Sequence, residues 1–344
     1  MRREPPQAPA DTVRSDDRGD ERGDGLAGLL LRAAGLLLLL GCLLAAAFHA
    51  PERSLQSLVA RWAPPPSDFI ELKLGDRQQL LHLRDEGPRG DPLPLLLLHG
   101  TSASLHTWEG WAHELSKTRR IITIDLPGFG LTGPSAYADY SDERYLQLIG
   151  ALLDHLQLPR VVLGGNSLGG ELAWEYAVQA PERVAALVLV DAAGLAFTPD
   201  TLPLGFRLAR MPLLKPLTGM LLPRQLVERS VASVYGDPSK ITPALIDRYF
   251  ELTLREGNRD ALVQRFAQLE PGRYASQLPH LRQPTLLIWG AKDRLIPLAY
   301  GQQMNRAITG SRLVVFDKLG HVPQEEDPAA TLRPVQEFLH SLKP

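Results

Sequence analysis

The pentapeptide Gly165–Gly169, with the sequence Gly-Asn-Ser-Leu-Gly, constrains the fold more than any other stretch of this 344-residue chain. The apolar run Val161–Leu163 precedes it and a helical pattern, Gly170–Ala177, follows it, so the sequence predicts a strand, a sharp turn and a helix. The turn holds Ser167 at strained backbone angles, and its glycine neighbours relieve the crowding. We therefore expect the serine hydroxyl to stand clear of the sheet, beside a helix N-terminus that favours negative charge. An ordinary Gly/Ser turn between a strand and a helix is the alternative.

Short apolar strands alternate with helical patterns on both sides of this turn. After a leading hairpin, Phe69–Leu74 and Gln79–Leu83, strands are predicted at Leu95–Leu98, Ile121–Ile124, Val161–Leu163, Val184–Val190, Thr285–Trp289 and Leu313–Phe316. Helices are predicted at Trp108–Leu115, Glu143–Leu156, Leu168–Gln179, Leu298–Ala307 and Ala330–Leu342. Apolar strands between helices are typical of a parallel sheet with helices on both faces. We predict an α/β fold with a mostly parallel sheet of eight strands.

Residues 195–281 interrupt this alternation. The segment is helix-like, rich in proline and without clear strands, and the pattern resumes at Thr285. An insertion of this length inside an α/β pattern indicates a helical cap. The folded part of the chain is thus predicted to consist of core residues 68–194, a cap at 195–281 and core residues 282–344.

The N-terminal residues are predicted to anchor the chain in a membrane. Residues 1–25 are polar and indicate a disordered tail, whereas residues 26–50 are apolar enough for a transmembrane signal anchor. Several arginines precede the apolar segment and few follow it, which predicts a cytoplasmic N-terminus and an extracytoplasmic (periplasmic, if bacterial) folded domain. The alternatives are a cleaved signal peptide, which would give a secreted protein, and a buried core helix. Residues 51–67, with the run Pro64–Pro66, are predicted to be a linker.

Composition excludes several functional classes. The formal net charge is −2, so no large basic surface indicates nucleic-acid binding. The single cysteine, Cys42, lies in the apolar segment, which leaves the folded part without a disulfide or a thiol nucleophile. The sequence contains no Walker loop, dinucleotide fingerprint or HExxH motif, and we predict no cofactor and no metal. The oligomeric state is left open.

Two further motifs follow predicted strands and supply partners for Ser167. Asp293 ends the run Gly290–Asp293, where a carboxylate can hold an imidazole in one tautomer, and His321 lies on the loop after the last strand, where it can act as a general base. Asp191, at the end of the preceding strand, is the rival acid. We favour Asp293 because the order serine, acid, histidine and the loop position both fit.

The loop His99–Ser102 follows the strand Leu95–Leu98 and is predicted to form an oxyanion hole. The backbone N–H groups of Thr101 and Leu168 are the expected donors to a developing oxyanion. For His99 we favour a structural role over proton transfer.

These motifs resemble those of the α/β-hydrolase superfamily from Phe69 to the C-terminus. The run Asp125–Gly130 also resembles the superfamily's aspartate-proline-glycine loop, in which Asp125 is expected to be structural. The resemblance implies Ser167 as nucleophile, Asp293 as acid, His321 as base, and Thr101 and Leu168 as oxyanion donors. It implies acyl transfer to water without a cofactor.

Two branches of the superfamily compete. The anchor, serine triad and cap resemble membrane-anchored monoacylglycerol-type lipases, whereas Gly165–Ser167 and Val190–Gly194 resemble carbon–carbon bond hydrolases that act on vinylogous diketones. In the second branch a tryptophan commonly follows the histidine, and here that residue is Val322. We therefore expect cleavage of small, apolar, lipid-like esters through an acyl-enzyme on Ser167. A non-catalytic binding protein of the same fold is a further alternative.

The cap contains a stretch that bears on the substrate. Residues 202–222 combine leucine, methionine and proline with scattered basic residues, a pattern suited to contact with an anionic membrane. An ordinary cap helix over the pocket is the alternative.

Overall fold

The computed structural model describes residues 21–196, 206–207, 211 and 220–342. The chain forms two compact units, Met1–His49 and Ala50–Pro344. In the first unit, helix α1 spans Glu21–Phe48. Its part Ala27–Phe48 has a mean hydropathy of 2.4 and no buried residues, so it is long and apolar enough to cross a membrane.

An eight-stranded sheet forms the centre of the second unit. The strands are β1 (Ser67–Leu74), β2 (Arg77–Glu86), β3 (Leu95–Leu98), β4 (Ile121–Ile124), β5 (Val161–Asn166), β6 (Val184–Val190), β7 (Thr285–Gly290) and β8 (Arg312–Phe316). Their order is β1-β2-β4-β3-β5-β6-β7-β8. The hairpin strand β2 pairs antiparallel with β1 and β4, and the other pairs are parallel. The predicted fold class and strand set are confirmed.

Helices cover both faces of the sheet and form two apolar cores. The core helices are α3 (Glu109–Leu115), α4 (Asp142–His155), α5 (Leu168–Gln179), α9 (Leu298–Ala307), α10 (Pro323–Glu326) and α11 (Pro328–Ser341). Trp174 of α5 and Trp289 of β7 belong to one core, whereas Trp108 and Trp111 belong to the other. Strand β5 is buried along its whole length, which places Ser167, the residue after it, in the middle of the molecule.

The described residues between β6 and β7 are helical and contain no strand. Three helices, α6 (Arg224–Val234), α7 (Pro243–Thr253) and α8 (Asn258–Gln268), are followed by a 3₁₀ turn at Ala275–His280. We call these helices the cap; its boundaries at residues 195 and 281 stay a prediction. Most of the stretch 202–222 lies outside the described residues.

The segment 51–67 differs from the linker that the prolines predict, because it contains helix α2 (Leu55–Trp62). Its apolar residues recur at helical spacing and give it one apolar stripe. Leu58 on that stripe is 1% exposed and packs in a small core with Leu131 and Leu252, the last of which lies on α7. On the same helix, Arg61 forms ion pairs with the α7 residues Asp247 and Glu251.

Candidate active site

Ser167 occupies the sharp turn between β5 and α5. Its φ of +54° and ψ of −117° are strained angles for a residue with a side chain. The glycines on either side are required because a side chain would not fit there: a Cβ on Gly165 would lie 2.2 Å from the carbonyl carbon of Gly169. The turn therefore has the strand–turn–helix geometry that the pentapeptide predicts.

His321 and Asp293 are hydrogen-bonded to each other on the loops after β8 and β7. Nδ1 of His321 lies 2.7 Å from Oδ2 of Asp293, and both residues are buried. The other carboxylate oxygen of Asp293 accepts from the backbone N–H groups of Leu295 and Ile296, at 2.8 and 2.9 Å. Because the carboxylate accepts a hydrogen bond from Nδ1–H, Nε2 is the ring nitrogen that is left to accept a proton.

Asn166 ties the serine turn to the histidine loop, a role that the sequence did not reveal. Its side-chain Nδ2 donates to the carbonyl of His321 at 2.9 Å and to that of Val190 at 3.1 Å. The backbone N–H of His321 donates to Val234 of the cap at 2.7 Å. The loop that carries His321 is thus fixed by β5 on one side and by α6 on the other.

Asp191, the rival acid, lies beside Asp293. One ligating atom each of Asp191, Asp293 and His321 lies within 4.8 Å of the other two. Asp191 is fully buried, and its Oδ1 accepts from the backbone N–H of Gly290 at 3.0 Å. Burial, followed by the neighbouring Asp293 carboxylate, raises the pKa of Asp191 well above its usual range. The raised pKa favours the protonated form of Asp191, and it is Asp293 that is hydrogen-bonded to the imidazole.

The loop after β3 approaches the serine closely. A Cβ on Gly100 would lie 3.1 Å from Cβ of Ser167. Thr101 and Leu168 line the same cavity as Ser167 and His321. The structure thus brings all five residues of the predicted site to one place.

His99 has a structural role in this loop, as expected. Its Nε2 accepts from the backbone N–H of Leu126 at 3.0 Å, and Nδ1 donates to the carbonyl of Gly100 at 2.7 Å. Burial lowers the pKa of His99, which keeps the ring neutral. Since the backbone engages both nitrogens, this histidine has none left for proton transfer.

Asp125 also holds the architecture together. Its carboxylate accepts from the ring of His82 and from the backbone N–H groups of Leu105 and Leu131, each at 2.7 Å. Burial opposes the charge on Asp125, yet the partner groups outweigh it, His82 foremost, and hold the pKa well below its usual range. The structural role expected for Asp125 agrees with these contacts.

A cavity of about 420 Å³ lies between the sheet and the cap and is lined by Ser167 and His321. Most of its wall is apolar and comes from the cap, including Leu221, Leu226, Val231, Leu262 and Phe266. A cavity of this size and polarity suits a small apolar molecule or an acyl chain.

Two groups of buried acidic and histidine residues have metal-like spacing within the described part of the chain. The first is Asp191, Asp293 and His321, whose hydrogen bonds are described above. The second is Asp142, Glu171 and Glu175. A guanidinium nitrogen of Arg265 lies 2.7 Å from Asp142, so this second group already has a cation beside it.

Comparisons with known proteins identify the family. A family model described as the alpha/beta hydrolase fold matches residues 94–328. The 2-hydroxy-6-oxo-2,4-heptadienoate hydrolase of Pseudomonas putida strain F1 is 31% identical over 262 residues, which cover 72% of this chain and 88% of that protein. The crystallised meta-cleavage product hydrolase CumD of Pseudomonas fluorescens IP01 is 26% identical with a TM-score of 0.67, over 79% of this chain and 97% of that chain.

A third similar protein is a membrane phospholipase A described as a bacterial virulence factor. Its structure is 25% identical with a TM-score of 0.66, and the match covers 92% of this chain and 96% of that chain. Residues 50–344 alone cannot supply that share, so this match extends into the N-terminal unit. The family model spans well over half of the sequence, and the chain belongs to the α/β-hydrolase family.

Proposed function

We propose that this hydrolase cleaves carboxylic esters, with Ser167 as nucleophile, His321 as general base and Asp293 as the acid that orients the histidine. One observation carries the proposal: Ser167, in its strained turn, lines the same cavity as His321, whose Nδ1 is bonded to Asp293 at 2.7 Å. The backbone N–H groups of Leu168 and Thr101 are the proposed donors to the oxyanion.

The proposed reaction has two halves. His321 takes the hydroxyl proton of Ser167 through Nε2 as the serine oxygen attacks the ester carbonyl, and the oxyanion accepts the two backbone N–H bonds. The imidazolium returns the proton to the leaving alcohol, which breaks the ester bond and leaves an acyl group on Ser167. Water, deprotonated by His321, then attacks the acyl-enzyme and releases the carboxylic acid and the free serine.

The apolar cavity favours a lipid-like acyl ester as the substrate. An acyl chain in contact with Leu226, Leu262 and Phe266 gains roughly 0.8 kcal/mol for each methylene removed from water. The described cap residues that line the cavity thus form the proposed acyl pocket.

Carbon–carbon bond hydrolysis is the second candidate, and the 31% identity to the heptadienoate hydrolase favours it. Against it stands Val322, at the position where that branch commonly has tryptophan. Parallel assays of nitrophenyl esters and a vinylogous diketone decide between the two reactions by their kcat/KM.

We further propose that α1 anchors the protein in a membrane with the hydrolase domain outside the cytoplasm. The apolar length of Ala27–Phe48 supports this placement, as does the excess of arginine before it. Secretion after signal cleavage is the alternative.

A fluorophosphonate probe tests the catalytic proposal. We expect the probe to label the wild-type protein and to leave Ser167→Ala unlabelled, since the probe reacts only with an activated serine. The matched control is Ser230→Ala, a serine of α6 that lines the same cavity and should leave labelling intact. An unlabelled wild-type protein would favour the non-catalytic alternative.

A further inference from the structure

Among the described residues, three acidic, lysine or arginine side chains line the cavity: Glu171, Arg259 and Arg265. Arg265 is compensated, because Nη2 lies 2.7 Å from Asp142 and 3.9 Å from Glu171. Its Nη1 also donates to the carbonyl of Tyr140 at 2.8 Å. The charges around Arg265 therefore balance without a ligand.

Arg259 differs from Arg265 in having no such partner. It lies in the first turn of α8 and is 5% exposed. In the part of the chain that the structure describes, Nε, Nη1 and Nη2 of Arg259 are all buried and none forms a hydrogen bond. A guanidinium has five N–H donors and stays protonated even when buried, so this side chain holds an uncompensated positive charge.

Glu52 does not neutralise this charge. Its field acts on Arg259, but it is an exposed side chain, and its Oε1 accepts from the backbone N–H of Gly257 at 3.1 Å. A buried charge without a partner is strongly disfavoured, whereas a buried charge with a hydrogen-bonded counter-ion is tolerated. The wall that faces Ser167 thus contains one cation whose counter-ion the described residues do not provide.

We propose that Arg259 is the binding residue for an anionic group of the substrate, a carboxylate or a phosphate, so that the substrate is an apolar ester with one negative charge. The planar fork of a guanidinium matches both anions in bidentate geometry. Arg259 and Ser167 line the same cavity, so a ligand that fills it would contact both residues. This inference rests on the proposed ester hydrolysis and adds the charge of the substrate to it.

The first test compares two esters that differ only in charge. Full-length protein in neutral detergent is assayed with the mono-4-nitrophenyl ester of a long dicarboxylic acid and with the same compound methylated at its free carboxylate. We expect wild type to prefer the anionic ester by about tenfold or more in kcat/KM, the size of one charge-assisted hydrogen bond. Arg259→Met should abolish the preference for the anionic ester over the neutral one, while Arg259→Lys should retain part of it.

Arg255→Met is the matched control. Arg255 lies four residues earlier, donates Nη1 to the carbonyl of Glu256, and is not part of the cavity wall. Its replacement should leave the charge preference unchanged.

A second pair of substrates distinguishes phosphate from carboxylate. Lysophosphatidate and a monoacylglycerol with the same acyl chain place the charge on the alcohol side of the ester, whereas the dicarboxylate places it on the acyl side. An Arg259-dependent preference within either pair supports the proposal and identifies the anion. Equal preference in wild type and Arg259→Met within both pairs overturns it.

Thermal unfolding separates binding from a structural role. Without ligand, Arg259→Met should unfold at the same temperature as wild type or higher, because it removes an unpaired buried charge. A clear loss of stability would mean that the fold itself uses the guanidinium, which contradicts the proposal.

The hydrolysis assays distinguish the two levels of the proposal. If Ser167-dependent hydrolysis is absent for every ester, the proposed function fails. If the neutral ester is cleaved without a charge effect, only the inference about Arg259 fails.

Discussion

Two carboxyl groups, Asp191 and Asp293, lie beside His321, and their proximity disfavours a negative charge on both at once. Asp293 accepts hydrogen bonds from the imidazole and from two backbone N–H groups. Burial, followed by the neighbouring Asp293 carboxylate, raises the pKa of Asp191 well above its usual range. If Asp293 loses its charge, its repulsion of a charged Asp191 is removed, and we predict that Asp191 then serves in part as a reserve acid for the histidine.

Substitution of each acid tests this relation. We expect Asp191→Asn to lower kcat/KM for a nitrophenyl ester by less than about tenfold, and Asp293→Asn to lower it by about 10²–10³-fold. The double variant should lose about 10⁴-fold, the loss typical of a triad without its acid. Equal losses in Asp293→Asn and the double variant would contradict the reserve role of Asp191.

The sequence predicted the residues whose chemistry is tied to a local motif. Ser167, Asp293 and His321 each follow a predicted strand, so the pattern of strands was enough to bring them together. Asn166 and Arg259 were missed for a physical reason. Their importance lies in contacts with distant loops, or in the lack of a counter-ion, and neither property is visible in the residues that flank them in sequence.

Helix α5 starts directly after Ser167 and carries two buried acidic side chains. Glu171 and Glu175 on this helix lie close to Asp142 of α4, with one ligating atom of each within 4.8 Å of the others. Burial, followed by the nearby carboxylates, raises the pKa of Glu171 to about 8 and that of Glu175 to about 10, although Arg265 acts in the opposite direction.

This cluster makes stability depend on pH. The folded protein keeps the Glu175 proton between the usual glutamate pKa and about 10, whereas the unfolded chain has lost it. The unfolded state then binds fewer protons, so the free energy of unfolding falls as pH rises, by up to about 1.4 kcal/mol per pH unit. We expect the unfolding temperature of wild type to fall by several degrees between pH 6 and 9, and that of Glu175→Gln to fall less. Parallel pH profiles for the two proteins would show that Glu175 is ionised in the fold.

Helix α2 packs against the cap helix α7, although the sequence predicts a linker in this segment. The run Pro64–Pro66 was correctly located as a break, but the helix before it has only two turns. A helix this short is marginal in water and depends on tertiary contacts. Its stability comes from Leu58 against α7 and from the ion pairs of Arg61, partners about 190 residues away that no local pattern reveals.

The contribution of α2 is measurable through Leu58. We expect Leu58→Ala to destabilise the hydrolase domain by about 2–5 kcal/mol, since it leaves a cavity in a small core where little can collapse to fill it. Because Leu252 lies on the cap helix α7, KM for an apolar ester should also rise. The neighbouring Gln56 is exposed, so Gln56→Ala is the control and should change neither quantity. An unfolding temperature equal to that of wild type would contradict this account of α2.

At the scale of the whole molecule, an apolar helix precedes a hydrolase domain that has its own two cores. The sequence predicted both parts and the α/β class, because long apolar runs and strand–helix alternation are patterns of composition. The substrate did not follow from the same patterns, since the shape and charge of the cavity depend on how cap helices from distant segments meet over Ser167.

Removal of residues 1–49 tests whether catalysis depends only on residues 50–344 and whether membrane binding depends on the N-terminal unit. We expect residues 50–344 to stay in solution without detergent and to cleave a short soluble ester within about threefold of the full-length kcat/KM, because the proposed triad and both large cores lie in this unit. Hydrolysis of an ester embedded in vesicles should fall by at least about tenfold, since an anchored enzyme has a high effective substrate concentration at the membrane.

In cells, the full-length chain should remain in the membrane fraction after an alkaline carbonate wash, whereas the truncated chain should not. A soluble wild-type protein whose mass lacks the N-terminal residues would instead establish cleavage and secretion.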